Sequence, residues 1–375
     1  GTVFPQTPKS PQRCGDTGRG GRPVSWTEIG WYTHVGIPKQ AIYTAQMFLL
    51  NEVNGKMADR IQIFDATDDD RLPRETFGLI NSSIDYEPFM ARPAFLAMTN
   101  FADIMTDAEY VETISYDAMQ NLYRFKLADG KDALVFWTQD ANNQIALDLG
   151  VSEVSVCDLY GNRETQSGID GKYQFDATIY PQYVIGDFSK LEISEKLFDV
   201  SKDAFNVVNH DKADFEIDNK TDKTVEVSAT TSKNIMPITS FTMQKEAKTV
   251  LIEAEDIENA RKKDTVGGSG IITASVIKEY VNSDAESIDL RIFDGEKLFY
   301  KKRMNITCVP SISVEHYIAH DIGDRWQYII ETTNNTYDTP LAGNVSIEAP
   351  ASFAKYISSW NTGTVAAGAK VKTKI

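Results

Sequence analysis

The sequence predicts a multidomain chain, α/β at its start and all-β beyond. Three observations carry this. The chain has 375 residues, room for about two to four domains at roughly 100–200 residues each. Strand-like and helix-like patterns alternate as far as Met105. After Asp107 the hydrophobic period falls from 3.6 to 2, and turn residues recur at short intervals.

In chain order, residues 1–22 are rich in Gly, Pro and polar groups and read as a flexible lead-in with no core of its own. Pro23 to Gly30 reads as a short buried strand ending in a glycine-marked loop. Pro38 suits the first turn of a helix, whose apolar face runs through Ile42, Ala45, Phe48, Leu49 and Val53. Arg60 to Asp65 is a second strand, and Pro93 opens a second helix with Leu96, Phe101, Ile104 and Met105 on one side. Strand, helix, strand, helix implies parallel strands with crossover helices over 23–106.

Residues 107–195 read as a small antiparallel β domain. Its strands are Leu122–Leu127 and Ala133–Trp137, joined at Asp129-Gly130, then Val154–Asp158, Lys172–Phe175 and Tyr183–Ile185. Strands at turn-punctuated intervals over 196–309 predict a β-sandwich. The pattern restarts over 310–375 as a second, shorter sandwich that ends within a strand-like run. No strict repeat is visible.

Composition narrows the function. Hydrophobic residues make up 42% and charged residues 25%, ordinary globular usage. No apolar run reaches the roughly 18–20 residues that span a bilayer. The net charge of −16 disfavours nucleic acid and anionic membrane, which attract basic surfaces, and suits neutral ligands. Cys14, Cys157 and Cys308 are odd in number and far apart, so neither a disulfide framework nor a cysteine–zinc site is expected. No cofactor is expected.

The strongest chemical signal is Trp26-Thr27-Glu28-Ile29-Gly30-Trp31. It sets a carboxylate at the end of a parallel strand, between two indoles whose flat faces suit the apolar face of a sugar. Phe77-Gly78-Leu79-Ile80, Glu87-Pro88 and Arg92-Pro93-Ala94-Phe95 follow it. Over about residues 23–190 this text resembles the C-terminal part of clan-A retaining glycoside hydrolases, the cellulase- and xylanase-like enzymes. The resemblance implies the last two βα units of a (β/α)8 barrel, with an accessory β domain behind them. It implies that Glu28 is the nucleophile, and that Trp26, Trp31, His34, Phe64, Asp65 and Asp68 line the substrate site. It supplies no acid/base for this chain. Asn51-Glu52 copies the family's dipeptide but lies in the helix after Glu28. The remaining barrel half would come from upstream sequence or from another chain. In the last module, Thr332-Thr333-Asn334-Asn335 and Pro340 to Val345 resemble immunoglobulin-like modules attached to bacterial carbohydrate enzymes.

Other patterns carry less. Asp65, Asp68, Asp69 and Asp70 lack the spacing of a calcium loop and read as a solvated acidic loop. His316 and His320 stand four apart within strand-like text, and Val266 to Gly270 lacks the Lys-Ser/Thr of a phosphate loop. No metal site is expected. Trp326, Tyr328 and Trp360 are candidates for a sugar platform, though aromatics in strands are more often core.

The sequence therefore predicts a β-glycan-cleaving retaining glycoside hydrolase or its C-terminal fragment, secreted or displayed at the cell surface, with polysaccharide or oligosaccharide as its partner. The competing expectation is a non-catalytic carbohydrate-binding or spacer protein.

Overall fold

The computed structural model describes residues 24–68, 76–81, 90–114, 120–139, 143–208, 212–231, 239–243, 271–275, 286–321, 325–336, 338–346 and 359–374. The lead-in, Asp69, Asp70, Glu87-Pro88 and the glycine turn at 266–270 lie outside them. Two units divide the chain, Gly1–Glu195 and Lys196–Ile375.

The first unit opens with β1 (Ser25–Ile29), a 3₁₀ turn (Thr33–Val35), α1 (Ile37–Val53), β2 (Arg60–Ile63) and α2 (Pro93–Met105). Proline stands in the first turn of both helices, where its missing N–H costs nothing. Ala41, Ile42, Ala45 and Leu49 recur at helical spacing and are buried on α1. Ala94 and Ala97 of α2 join Ala41 and Ala45 in one cluster, so small side chains let the helices approach closely.

Among the described residues nine strands follow: β3 (Glu109–Thr113), β4 (Gln120–Lys126), β5 (Asp132–Thr138), β6 (Asn143–Asp148), β7 (Glu153–Cys157), β8 (Arg163–Ser167), β9 (Lys172–Ala177), β10 (Gln182–Gly186) and β11 (Glu192–Ile193). They form a six-stranded sheet, β3-β4-β5-β10-β7-β8, and a three-stranded sheet, β11-β6-β9. Leu122, Leu134 and Phe136 of the larger sheet pack on Ile145, Leu147, Tyr173 and Phe175 of the smaller. Its other face packs Tyr123, Phe125, Val135 and Trp137 on Leu49 of α1 and Ile104 and Met105 of α2. Covered on both faces, β5 is buried at all seven positions. That is why Ala133 to Trp137 reads as a continuous apolar run instead of an alternation. Burying side chains such as Phe125, Leu134 and Phe136, which are 0% exposed, contributes roughly 1.5–3 kcal/mol each.

These contacts correct the predicted fold class. β1 and β2 pair in parallel around α1, yet among the described residues their sheet has only these two strands. α1 and α2 lie against an antiparallel sheet. The chain is mostly β, in several small sheets with two helices, and the end of a (β/α)8 barrel is not evident among the described residues. A local βαβ unit leaves the alternating signature in the sequence, but closure into a barrel is a long-range property that alternation does not encode. A missing barrel half on another chain loses its premise with it.

The second unit holds β12 (Phe198–Val200), β13 (Ala204–Val208), β14 (Lys212–Asn219), β15 (Val225–Thr231), β16 (Thr239–Met243), β17 (Ile271–Ser275), β18 (Glu286–Asp294), β19 (Lys297–Val309), β20 (Ile312–Asp321), β21 (Arg325–Asn334), β22 (Leu341–Ser346), β23 (Ser359–Val365) and β24 (Lys370–Lys374). Their sheets are β12-β14-β17, β13-β19-β18-β15-β16, β20-β21-β24 and β22-β23. Val225, Val227 and Ala229 on β15, with Ile288, Leu290 and Ile292 on β18, keep a strict period of two and are buried. Phe198 stacks on Tyr300 at 6.0 Å between ring centres. Sandwich-like β content is what this half shows. β13 pairs in parallel with β19, while the pairings found over 310–375, where the sequence resembles an immunoglobulin-like module, are antiparallel.

One device recurs where the sequence shows no strict repeat. After β14, the Asn219 amide donates to the Lys223 carbonyl at 2.9 Å and accepts from the Thr221 N–H and hydroxyl at 3.0 and 2.7 Å. After β21, Asn334 does the same with the Thr339 carbonyl at 2.9 Å and with the Thr336 N–H and hydroxyl at 3.0 and 2.7 Å. Both asparagines are buried, and each Asn-x-Thr closes the turn out of its strand.

Cys157 is free and buried beside Asn100. Burial pushes its thiol pKa up, so little thiolate is present near neutrality. Iodoacetamide at pH 8 is expected to leave Cys157 unmodified in the native protein and to alkylate it in urea. Native alkylation at the rate of an exposed thiol, read by peptide mass, would contradict this burial. Among the described residues no helix is long and apolar enough to cross a membrane.

Candidate functional site

The site is built where β1 and β2 end. Ser25 pairs with Arg60 and Trp26 with Ile61, but the next pair is Ile29 with Ile63. Thr27 and Glu28 therefore face Gln62 alone. This two-against-one count is a β-bulge, which bends a strand and re-aims its side chains. Glu28 is exposed and Trp26 is half-buried.

Behind the bulge the two strand ends stay in register, with the Phe64 N–H donating to the Ile29 carbonyl at 2.8 Å. A side chain at Gly30 would place its Cβ 1.8 Å from the Phe64 carbonyl oxygen, so only glycine fits this approach. Trp31 is half-buried, its ring 5.6 Å from that of Tyr43 on α1. Tyr32 lies 5.3 Å from Phe77, and Phe64 lies 5.4 Å from Phe77, ring centre to ring centre. His34 stands in the 3₁₀ turn, and its side chain is outside the described set.

Two braces hold these loops. The Thr33 N–H donates to the Thr76 carbonyl at 3.0 Å. The Gln40 side chain, buried on α1, donates to the Trp31 carbonyl at 2.8 Å and to the Phe77 carbonyl at 3.1 Å. One amide thus ties both aromatic loops to the helix.

Asp65 is half-buried, and its Oδ1 accepts from the Ala66 N–H at 2.6 Å. The Phe64–Asp65 peptide is cis. Asp68 has turned inward. Its Oδ1 accepts from Arg92 Nη1 at 2.9 Å and from the Gly78 N–H at 2.8 Å, while Oδ2 meets Arg92 Nη2. Arg92 Nη1 also donates to the Gly78 carbonyl at 2.8 Å. Asp68 therefore anchors the loop that carries Phe77.

The geometry brings together Glu28, Trp31, Phe64 and Asp65 within the two strand ends and their following turns. Gln40, Tyr32 and Phe77 join them and are absent from the sequence-based site. His316 is exposed on β20, and the His320 side chain is outside the described set, as are those of Trp326, Tyr328 and Trp360. Among the described residues no group of His, Cys, Asp or Glu is placed to hold a metal ion. Glu28 thus offers an exposed carboxylate three and four residues before Trp31 and Tyr32 in the chain.

Comparison with models of known protein families gives no match, and comparison with curated proteins gives none either.

Proposed function

We propose that the protein is a retaining glycoside hydrolase, or the C-terminal fragment of one, that cleaves neutral β-glycans with Glu28 as nucleophile. The observation that carries this reading is Glu28 itself: exposed at a bulge, at the C-terminal end of a parallel strand, one turn from Trp31 and Tyr32. In this chemistry a carboxylate oxygen attacks the anomeric carbon and a second carboxyl, about 5–5.5 Å away, protonates the departing oxygen. Of the acidic residues near the strand ends, Asp68 is committed to Arg92. Asp65 is then the carboxyl to examine as acid/base. The reading places the protein outside the cell or on its surface, where polymeric glycans lie.

A glycan-binding protein without turnover is the second reading. The engagement of Asp68 favours it, because that leaves fewer carboxyls to serve as the acid.

A trapping experiment separates the two. A 2-fluoro glycosyl fluoride carries a leaving group that needs no proton, so the nucleophile alone suffices to form the glycosyl ester. We expect intact mass to rise by one fluoroglycosyl group, on the peptide holding Glu28. An ester on another carboxylate would displace Glu28 from the role. No ester with any gluco-, xylo-, manno- or galacto-configured reagent would leave the binding reading in its place.

A further inference from the structure

Two stretches of the second unit share one strand layout. In the first, β12 and β17 flank β14; in the second, β20 and β24 flank β21. Counted from the turn asparagines Asn219 and Asn334, the registers coincide. Asn219 pairs with Phe198 and Ile217 with Val200; Asn334 pairs with Ile312 and Thr332 with Val314. On the other side Glu216 pairs with Ile271 and Phe215 with Ile272; Glu331 pairs with Lys372 and Ile330 with Thr373. The Asn-x-Thr turn then leads into β15 in one stretch and β22 in the other. Each pairs antiparallel with the strand that follows it, β16 or β23.

The second sheets differ. β15 also pairs with β18, and β18 with β19. Among the described residues β22 pairs with β23 alone, so its other edge is open. The consequence falls on the strand opposite. Phe198 is 0% exposed, stacked on Tyr300 of β19, and Val200 is 7% exposed. Their register equivalents Ile312 and Val314 are 44% and 51% exposed. They border a cavity of about 270 Å³ that also touches Thr332 to Asn334 and Leu341 to Asn344. Successive side chains of a strand point to opposite faces, so four consecutive residues of β22 on one cavity place it along the strand's edge. β22 carries no charge and no proline, the usual guards of an open edge.

We propose that this groove docks a β-hairpin of a partner protein, lying where β18 and β19 lie in the first stretch. One strand of the hairpin adds to the open edge of β22 through main-chain hydrogen bonds, as β18 adds to β15. The other turns apolar side chains onto Ile312 and Val314, as Tyr300 of β19 meets Phe198. The chemistry recognised is a pair of antiparallel strands, apolar at alternate positions as in Ile288, Leu290 and Ile292. This inference is independent of the reading of Glu28.

The test uses the full chain and a fluorescein-labelled synthetic peptide of residues 286–309, with Cys308→Ser, as the probe hairpin. The chain's own copy of that segment already covers the first stretch, so the groove beside β22 is the site open to the probe. Anisotropy is expected to rise to saturation, and a peptide of the same composition in scrambled order should not bind. Val314→Asp should weaken binding about tenfold or more, because docking would bury an unpaired carboxylate. Tyr317→Ser, on the opposite face of β20, should leave the affinity unchanged. Thermal midpoints of both variants should match the parent, since both side chains are exposed. With peptide bound, hydrogen exchange over Leu341 to Asn344 should slow about tenfold or more, as newly paired strand amides do. No saturation, equal binding of the scrambled peptide, equal affinity of parent and Val314→Asp, or binding without slowed exchange at these residues would each overturn the hairpin site. So would sedimentation of the chain alone as a dimer that Val314→Asp dissolves, because a second copy would then hold the groove.

Discussion

Replacing Asp68 with alanine is expected to destabilise the first unit by about 3–5 kcal/mol, the usual consequence of removing one partner from a buried ion pair. The Asp68 side chain is 3% exposed and that of Arg92 12%. The pairing is bidentate, and Asp68 Oδ1 also takes the Gly78 N–H. Alanine would leave a guanidinium out of water without its counter-charge and a backbone N–H without an acceptor. Adding Arg92→Met should restore part of the loss, since the stranded cation is gone. It should not restore all, because Arg92 Nη1 also serves the Gly78 carbonyl. Denaturant unfolding of the single and double variants closes the cycle, with coupling expected near the upper end of the usual 0.5–3 kcal/mol or so. A single-variant loss below about 1 kcal/mol would mean that solvent reaches the pair. Because Asp68 holds the Gly78 N–H, Asp68→Ala should also disturb the neighbouring Phe77.

What the sequence reveals of this molecule follows from how far each signal reaches. α2 is predicted to start at Pro93 and found there, because a first-turn proline and a 3.6 period act within one helix. β5 is found where a run of five apolar residues predicts it. β8, Arg163-Glu164-Thr165-Gln166-Ser167, has no apolar alternation, since it is a polar edge strand held by pairing with β7. β6 carries Ile145 and Leu147 inward but is too short a signal to stand out between polar neighbours. The barrel expectation failed at the longest range: parallel strands around a helix were correct locally, and among the described residues the sheet they enter has no third strand. The site divides the same way. Glu28 and Phe64 stand at strand ends and can be picked out there. Gln40 reads as an ordinary polar helix residue, because its partners are 9 and 37 residues away. Asp68 sits in an acidic run that reads as solvated, and its partner is 24 residues on.

Glu28→Gln is expected to abolish glycan hydrolysis, with a loss on the order of 10⁴-fold or more, as when a covalent nucleophile is removed. The amide copies the carboxylate in shape and keeps an oxygen for hydrogen bonding, but it cannot form the glycosyl ester. Binding of oligosaccharides should therefore persist while turnover vanishes, a split that a general loss of folding would not give. The leaving group supplies the second half of the argument. An aryl glycoside with an acidic phenol departs without a proton, whereas a β-glycan needs one, and general acid help is worth roughly 10²–10⁴-fold. Asp65 follows Phe64, whose N–H bonds to the Ile29 carbonyl, so its backbone is near that of Glu28. If Asp65 is the acid, Asp65→Asn should slow glycan hydrolysis by about that factor and leave release of the acidic phenol little changed in the step that forms the ester. Equal slowing of both substrates would make Asp65 a binding residue and send the search for the acid elsewhere. Hydrolysis of β-glycans by Glu28→Gln at the parent rate would end the assignment of Glu28, whatever Asp65 does.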